Sequence, residues 1–310
     1  MALFASLPVW AGGLRVEVVS TDFVMPAKIT ALQTLVAPEN VQVQQRLIGA
    51  GSALPDSWPA SADLIIIDSP RPSDAEQILG VIKPALERTG KPWVQVGGGP
   101  PASGGISRAD AQRISGYYGS GGQENFRLLG IWLKRWFERS PALDAVPHAQ
   151  PMPSAGYYGG VSLGTFGDPA ALEAAWKESG QEVWPRIAVV IAANSLSSLQ
   201  TQAIDALILQ GRQKGLSIFG VWYELRESDG LRRVVAPMQV SALVNLTHLQ
   251  NGKSLPQEFA RLNVPVIQAL NYRQGDAQRW RDAASGVPMS LKATFVALPE
   301  TWGASDPIVI

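Results

Sequence analysis

The chain has 310 residues and no cysteine, which excludes disulfides, thiolate metal sites and cysteine nucleophiles. Its 26 basic and 26 acidic side chains give a net charge of zero, so it lacks the long-range field that would collect nucleic acid or an anionic membrane. Apolar residues form 46% and charged residues only 17%, with 10 tryptophans, which indicates extensive buried or partner-facing surface suited to an interface or a large flat ligand.

The amino-terminal residues 2–14 are apolar, but no basic residue precedes them and they contain Pro8, so they are a poor signal peptide. We interpret them as a first strand or an interface segment. No apolar run is long enough to cross a bilayer. His148 and His248 lie far apart without metal-ligand spacing, so no structural metal is predicted. We expect a cytoplasmic protein, with a peripheral position at the inner membrane as the alternative.

Short, almost wholly apolar runs recur along the chain, and helical patterns separate most of them. Strands that are apolar on both faces and alternate with helices are typical of a parallel sheet covered on both sides. The sequence therefore predicts an α/β fold with two Rossmann-like or flavodoxin-like domains, whose mostly parallel sheets are covered by helices. The predicted strands lie within residues 14–23, 63–69, 92–99, 186–194, 216–224, 242–247, 264–271 and 291–298.

Capping chemistry marks the predicted helix starts. Three pairs fit the reciprocal capping box, in which each side chain satisfies a backbone N–H of the other's turn. Asp168 before Pro169 predicts a further helix start, and Gly180 predicts its end. The three pairs are Ser73 with Glu76, Ser107 with Asp110, and Ser254 with Gln257.

Residues 140–169 are rich in proline and glycine and poor in periodicity, which is typical of a linker or crossing loop. We therefore predict an amino-terminal α/β domain over residues 1–150. A linker and connecting helix are predicted for residues 151–180. The second α/β domain, truncated at its carboxyl-terminal end, is predicted for residues 181–310.

Candidate ligand-binding residues follow from a general rule. In open parallel sheets the carboxyl ends of the strands form the crevice where ligands bind. At the end of the chain, Glu300 fits a proton acceptor if its crevice is apolar, because burial raises the proton affinity of a carboxylate; a solvated or helix-capping role is the structural alternative. The residues that follow the predicted strands are Thr21, Asp22, Asp68, Arg71, Gly97, Gly98, Gly99, Asn194, Tyr223, Glu224, Asn271 and Glu300.

The glycine-rich stretch 97–105, GGGPPASGG, allows two interpretations. Its backbone N–H groups fit an approach to an anion. However, it matches neither phosphate-binding glycine motif, and its two prolines remove donors, which favours a shaped turn. We do not predict ATP or dinucleotide binding.

Residues 117–140 contain a glycine pair that opens a helix with an apolar stripe and a basic end. Such a stripe is typical of a core or interdomain face, with cations placed at the helix carboxyl terminus. A membrane-surface helix also mixes tryptophan with basic residues, but the neutral charge of the chain argues against that role.

Several segments together resemble the large subunit of the metal chelatases, the family of the cobaltochelatase CobN and the magnesium chelatase H subunit. One specific arrangement comprises Tyr118, Gly121, Gly122, Glu124 and Asn125, and the other spans LPETWGASDPIV, residues 298–309. The resemblance also runs through residues 63–74, 92–99, 117–129, 204–222, 263–271 and 297–310.

The resemblance implies a tetrapyrrole ligand and a divalent metal substrate, with separate ATPase subunits as partners. It places Glu300 on the family's P-E-x-x-G glutamate near the tetrapyrrole, where a carboxylate can accept pyrrole protons or steer the cation. With a tetrapyrrole as the expected ligand, we assign ligand binding to the strand-end residues Asp68, Arg71, Gly97–Gly99, Asn194 and Tyr223, and to Asn125 of the family arrangement.

The chain also departs from the family pattern. It has Ala192, Ala193 and Asn194 where many relatives keep an arginine, and it reads GYYGG at 156–160 in place of a G-x-x-H-P-like stretch. The chain also ends in an apolar run, so we expect an amino-terminal portion or truncated relative, inactive alone. A haem-binding protein that removes iron, a two-domain solute-binding module, and a scaffold that docks an ATPase or membrane partner are the alternatives.

Overall fold

The apolar strands form two sheets, each covered by helices on both faces. The computed structural model describes residues 13–181, 184–248, 252–270, 277–284, 286 and 292–309. It divides into two units, the first comprising residues up to Pro151 with Ser197–Leu199, and the second comprising Met152–Leu196 and the residues from Gln200. The predicted α/β class with mostly parallel sheets is confirmed. The predicted first strand over 2–14 lies almost entirely outside the described residues, as does Asn271.

The first unit contains a sheet in the order β2-β1-β3-β4-β5, in which β1 to β4 are parallel and β5 is antiparallel to β4. The order 2-1-3-4 is that of flavodoxin-like folds. Its elements are β1 (Leu14–Ser20), α1 (Pro26–Val36), β2 (Val41–Leu47), β3 (Leu64–Asp68), α2 (Pro72–Thr89), β4 (Trp93–Val96), β5 (Ser103–Gly104), α3 (Arg108–Ser120) and α4 (Gly122–Phe137).

Helices cover both faces of this sheet because alternate strand residues point to opposite sides. Val16, Val18 and Ile66 pack with α1, α3 and α4 in one core cluster. Val19 and Ile65 pack with α2 in the other. Fully buried strands of this kind leave their carboxyl ends as the polar edge of the sheet.

The second unit repeats this plan. Its sheet has the order β12-β11-β10-β8-β9-β6-β7, in which β8 to β12 are parallel and β6 and β7 are antiparallel additions. Its elements are β6 (Gly156–Tyr158), β7 (Thr165–Phe166), α5 (Pro169–Glu178), β8 (Arg186–Val190), α6 (Ala193–Ser197), α7 (Gln202–Gln213), β9 (Ser217–Trp222), α8 (Gly230–Val235), β10 (Ala242–Asn245), α9 (Leu255–Leu262), β11 (Val266–Leu270), α10 (Ala277–Asp282), α11 (Leu298–Thr301) and β12 (Ser305–Val309).

Two clusters again fill the two faces. Ala188, Val190 and Phe219 pack with α5, α8 and α9 on one side. Val189 packs with α6 and α7 on the other. The stretch 151–180, which the sequence presents as a linker and connecting helix, instead supplies β6, β7 and α5 to this unit, because its tyrosines and Trp176 are buried there.

The observed helix N-caps agree only in part with those predicted from the sequence. Ser107 accepts a hydrogen bond from the N–H of Asp110, and Asp168 accepts one from Ala170, as predicted. The pair Ser73 and Glu76 is wrong, because the N-cap of α2 is Arg71, two residues before Ser73. Ser254 precedes α9, but its hydroxyl donates to the Glu258 carboxylate and does not cap the helix with Gln257.

Two strand assignments are corrected. The run 291–298 is not a strand, because residues 293–297 form a π-helix that continues into α11. Alanine, leucine and lysine in this run favour helix, and they outweigh its β-branched residues. The strand β2 is missing from the prediction because only one of its faces is apolar.

Candidate functional site

The carboxyl edge of the first sheet contains a topological switch point between β1 and β3, where the strand order reverses. Such a point opens a crevice at the ends of the parallel strands. β1 ends at Ser20 and is followed by Thr21, while β3 ends at Asp68 and is followed by Ser69. All four side chains are buried, so these polar groups are shielded from solvent.

Asp68, a residue predicted from the sequence, forms the centre of a cluster at this edge. Its Oδ2 accepts hydrogen bonds from Lys28 Nζ and from the Tyr118 hydroxyl, both at 2.7 Å. The Lys28 ammonium also lies 4.2 Å from the centre of the Tyr118 ring. Burial raises the pKa of Tyr118 well above its ordinary value, and the Asp68 charge raises it further. The cluster joins β3, α1 and α3 through one buried carboxylate.

Arg71 lies beside this cluster, directly before α2. Its Nε and Nη2 donate to the two oxygens of Asp74 at 2.9 and 2.6 Å. Hydrogen bonding by Arg71 lowers the pKa of Asp74, although burial opposes that effect. Thr21 donates a further hydrogen bond to Asp74. Arg71 and Asp74 therefore form the capping box that the sequence placed at Ser73 and Glu76.

The exposed face of Arg71 is stacked on an aromatic ring. Its guanidinium carbon lies 4.1 Å from the centre of the Phe23 ring, and Phe23 remains 47% exposed. Within the part of the chain that the structure describes, Nη1 of Arg71 makes no hydrogen bond. Phe23, Met25 and Leu47, all partly exposed, bring apolar surface to the same edge.

The glycines Gly97–Gly99 follow β4 and pack against the loop after β3. All three have positive φ, between 68 and 137°. A Cβ on Gly98 would lie 2.6 Å from Ser69 Oγ and 2.9 Å from the Ala75 side chain. The Ser69 hydroxyl donates to the carbonyl of Gly97. These contacts favour the shaped turn over the anion-binding loop.

The side-chain amide of Asn125 is hydrogen-bonded to backbone groups. Its amide nitrogen donates to the carbonyls of Gly121 and Gln150, both at 2.8 Å. Its amide oxygen accepts from the N–H of Gln150 at 2.9 Å. The side chain therefore ties the start of α4 to the chain near Gln150.

In the second unit, the predicted Asn194 and Tyr223 follow β8 and β9 at the carboxyl edge. Asn194 lies in α6 and is exposed. Tyr223 is only 6% exposed, and burial, assisted by the charge of Glu258, raises its pKa. The two environments therefore differ, because Asn194 is exposed and Tyr223 is buried in the core.

A buried polar network at the end of β10 is missing from the sequence prediction. Asn245 Nδ2 donates to Gln268 Oε1 at 2.8 Å and to the carbonyl of Thr247. Thr247 donates through its backbone N–H and its hydroxyl to Asn245 Oδ1. These side chains bond to one another and to nearby carbonyls, so the network ties the end of β10 to β11.

Glu300 lies in α11, and its side chain is exposed. β12 begins five residues later, at Ser305. Glu300 therefore precedes the amino end of a strand, and the carboxyl-edge rule does not apply to it. The described residues contain no group of three or more histidine, aspartate or glutamate side chains placed to hold a metal ion. No described helix has the length and hydropathy that a membrane span requires.

The fold and these edges define a protein with two flavodoxin-like α/β units, each carrying polar groups at a switch point. The chain belongs to the CobN/magnesium chelatase family, whose model matches residues 115–310. That stretch includes Asn125, Asn194, Tyr223 and Glu300. Asp68, Arg71 and Gly97–Gly99 lie outside it.

Among solved structures, the catalytic subunit of cobaltochelatase from Mycobacterium tuberculosis has a TM-score of 0.59 and 18% identity over 93% of this chain. This chain spans 24% of the length of that subunit. A second match is a heterocyclase in complex with substrate and cofactor, over 46% of this chain and 21% of the heterocyclase chain. Its TM-score of 0.26 and identity of 15% are too low to support an argument. No curated protein sequence is significantly similar to this chain.

Proposed function

We propose that this chain contributes to tetrapyrrole binding for the insertion of cobalt or magnesium, as a portion or truncated relative of a CobN-type chelatase large subunit. The observation that carries the proposal is the match of the CobN/magnesium chelatase family model to residues 115–310. The likeness of fold over 93% of the chain supports it. Metal insertion then requires further polypeptide and ATPase subunits, and the cytoplasm is the proposed compartment.

The carboxyl edge of the first unit suits a flat aromatic macrocycle. Phe23 and Arg71 already form one stacked pair. A further flat ring can bind such a surface favourably by offset stacking. Met25 and Leu47 add apolar area that a bound ring would remove from water. We propose this edge as the contact surface of the first unit with the ring.

Glu300 is the proposed proton acceptor. Pyrrole N–H protons leave as a metal enters, and a carboxylate near the ring accepts them or steers the cation. The exposure of Glu300 keeps its carboxylate accessible to a ligand. This role rests on the position of Glu300 in the P-E-x-x-G segment of the family.

Titration of the purified chain with porphyrins, cobyrinic-type rings and haem tests the proposal. We expect the visible absorption of a metal-free ring to shift on binding and the shift to saturate. A response to haem alone would favour the iron-removing alternative. Absence of any spectral change with every ring would contradict the proposal and favour a solute-binding or scaffold module.

The role of Glu300 requires the complete chelatase assembly. We expect Glu300→Gln to leave ring binding within about twofold and to lower the chelation rate by roughly 10²-fold or more, because general base catalysis typically contributes that much. Glu178→Gln, at another exposed glutamate in α5, is the matched control. Equal chelation rates for both variants and the parent would remove Glu300 from the mechanism.

A further inference from the structure

A cleft of about 700 Å³ lies in the first unit, away from the carboxyl edge of its sheet. Asp63 and Lys91 line it just before β3 and β4, so it opens at the amino edge. The volume is in the range of small-molecule sites, roughly 300–1,000 Å³. Asp110, Trp136, Phe137, Arg139 and Leu143 also line it.

One wall of the cleft is aromatic and fixed in place. Trp136 stacks on the buried Trp132, with ring centres 6.1 Å apart and planes inclined by 14°. Phe137, the next residue, keeps 37% of its surface exposed. Leu143 extends the apolar lining. A flat apolar body would therefore find a prepared surface here.

Arg139, at the rim of this wall, adopts a backbone conformation that favours glycine. Its φ is 53°, and it follows the carboxyl cap of α4. Its N–H donates to the Trp136 carbonyl, and the N–H of Ser140 donates to the Arg135 carbonyl, which is the Schellman pattern of helix termination. Glycine would fill this position without steric cost, so the arginine stands against the local backbone preference.

The guanidinium of Arg139 makes no hydrogen bond or ion pair with any residue that the structure describes. The acidic side chains of the cleft are engaged. Asp63 accepts from the backbone N–H and side chain of Arg15, and Asp110 accepts from the Ser107 hydroxyl. The other cation of the cleft, Lys91, donates to the carbonyls of Ala60 and Ala62. Among the described lining residues, Arg139 is therefore the cation with free donor groups, and the complement of those donors is an anion.

We propose that this cleft binds a planar organic anion, such as an aromatic carboxylate or sulfonate. The flat body lies against Trp136 and Phe137, and the acid group contacts Arg139. The site shares no residue with the edge proposed for the tetrapyrrole. The proposal does not depend on the chelatase function.

The test uses two probes of similar shape, 8-anilinonaphthalene-1-sulfonate, which carries an anionic group, and N-phenyl-1-naphthylamine, which lacks it. Binding to the full chain is measured by calorimetry and by probe fluorescence. We expect the sulfonate probe to bind one site per chain more tightly than the neutral probe, because charge-assisted hydrogen bonds to Arg139 are available only to the anion.

Two variants separate the cation from the wall. Arg139→Gly should weaken binding of the sulfonate about tenfold or more and leave the neutral probe within about twofold, because a charged hydrogen bond is lost. Phe137→Ala should weaken both probes. Arg139→Lys, which keeps the charge, should restore part of the sulfonate affinity.

Folding is controlled separately. Arg139→Gly relieves an unfavourable backbone conformation, so it should fold at least as well as the parent. Asn263→Gly is the matched control, since Asn263 ends α9 with φ 52° and lies outside the cleft; it should leave both affinities unchanged. Unchanged sulfonate affinity in folded Arg139→Gly and Phe137→Ala, or no sulfonate binding by the parent, would overturn the proposal.

Discussion

Burial controls the chemistry of the tyrosines in both units. Tyr117 and Tyr118 in the first unit, and Tyr157, Tyr158 and Tyr223 in the second, all have a raised pKa, and desolvation is the largest cause for each. Nearby carboxylates add to the effect at four of them, because a negative charge disfavours the phenolate. The pKa of Tyr158 rises to about 12.

These shifts predict a loss of stability in alkali. An unfolded tyrosine has a pKa of about 10, whereas the folded phenols hold their protons to higher pH. The free energy of unfolding should therefore be unaffected by the tyrosines below about pH 10 and fall as the pH rises from there towards about 12. Absorbance at 295 nm, recorded with and without urea, measures the ionisation. Titration of most tyrosines near pH 10 in the folded chain would contradict the prediction.

Removal of the Tyr118 hydroxyl should cost more stability than removal of the Tyr157 hydroxyl. Its partner is the buried carboxylate of Asp68, whereas the Tyr157 hydroxyl donates to the neutral carbonyl of Val234. We expect Tyr118→Phe to lower the free energy of unfolding by about 1.5–3 kcal/mol, and Tyr157→Phe by about 1 kcal/mol, because hydrogen bonds to charged groups are stronger. Urea unfolding measures both, and a larger loss for Tyr157→Phe would refute this ordering.

The sequence predicts some site residues but not their partners. Asp68 and Arg71 follow a strand that is plainly apolar, so the carboxyl-edge rule finds them. Lys28 lies 40 residues from Asp68 in the chain. Lys28 comes close to Asp68 only when β1 and β3 pair. No local sequence pattern predicts a contact between residues so far apart in the chain. Glu300 shows the converse, because a wrong strand assignment placed it at the wrong end of a strand.

At the scale of single elements, the turn after β4 depends on close packing. Gly98 combines φ of 68° with contacts that leave no room for a Cβ, whereas Gly51 has φ of 77° and open space around it. Both positions favour glycine for conformational reasons. Only Gly98 is also needed for the approach of two loops.

This difference predicts unequal effects of alanine. Gly51→Ala should cost about 1–2 kcal/mol of unfolding free energy, which is the strain of positive φ alone. Gly98→Ala should cost roughly 1–3 kcal/mol more, because the Cβ overlaps Ser69 and Ala75. Thermal and urea unfolding of the two variants provide the comparison. Equal losses would show that the loop shifts to accept the added methyl group.

Strands were predictable where both faces are buried. Residues 64–68 are buried throughout, and a continuous apolar run reports that environment. β2 lies at the edge of its sheet, with Val41 and Val43 buried and Gln42 and Gln44 exposed. Because one face of β2 is polar, its sequence is not a continuous apolar run, and the strand was not predicted. The short strands β6 and β7 were not predicted for another reason. They form by pairing with β9 and with each other, and this pairing leaves no periodic pattern in so short a sequence.

At the scale of the whole molecule, each unit has its own sheet and its own pair of core clusters. The strand order is flavodoxin-like in both. The α/β alternation predicted this class of fold. The extent of the linker was not predictable from its proline and glycine content, because burial of Tyr157, Tyr158 and Trp176 decides it.

A separate core predicts separate folding. We expect a chain of residues 1–151, which omits only Ser197–Leu199 of the first unit, to unfold cooperatively in urea, with the circular dichroism of an α/β protein. A chain of residues 1–120, which lacks α4, is the control. It loses Phe126, Leu129, Trp132 and Leu133 from the core and should not unfold cooperatively. A non-cooperative transition for residues 1–151 would show that the first unit depends on the rest of the chain.

The half-exposed ring of Phe23 has a practical consequence. Because the chain contains no cysteine, Phe23→Cys would carry its sole thiol, and 47% exposure makes that position reachable by a maleimide dye. A fluorophore attached there would report the arrival of a strongly absorbing macrocycle by energy transfer. Since the chain offers no other thiol, the energy transfer would measure the distance between the bound ring and the proposed contact surface alone.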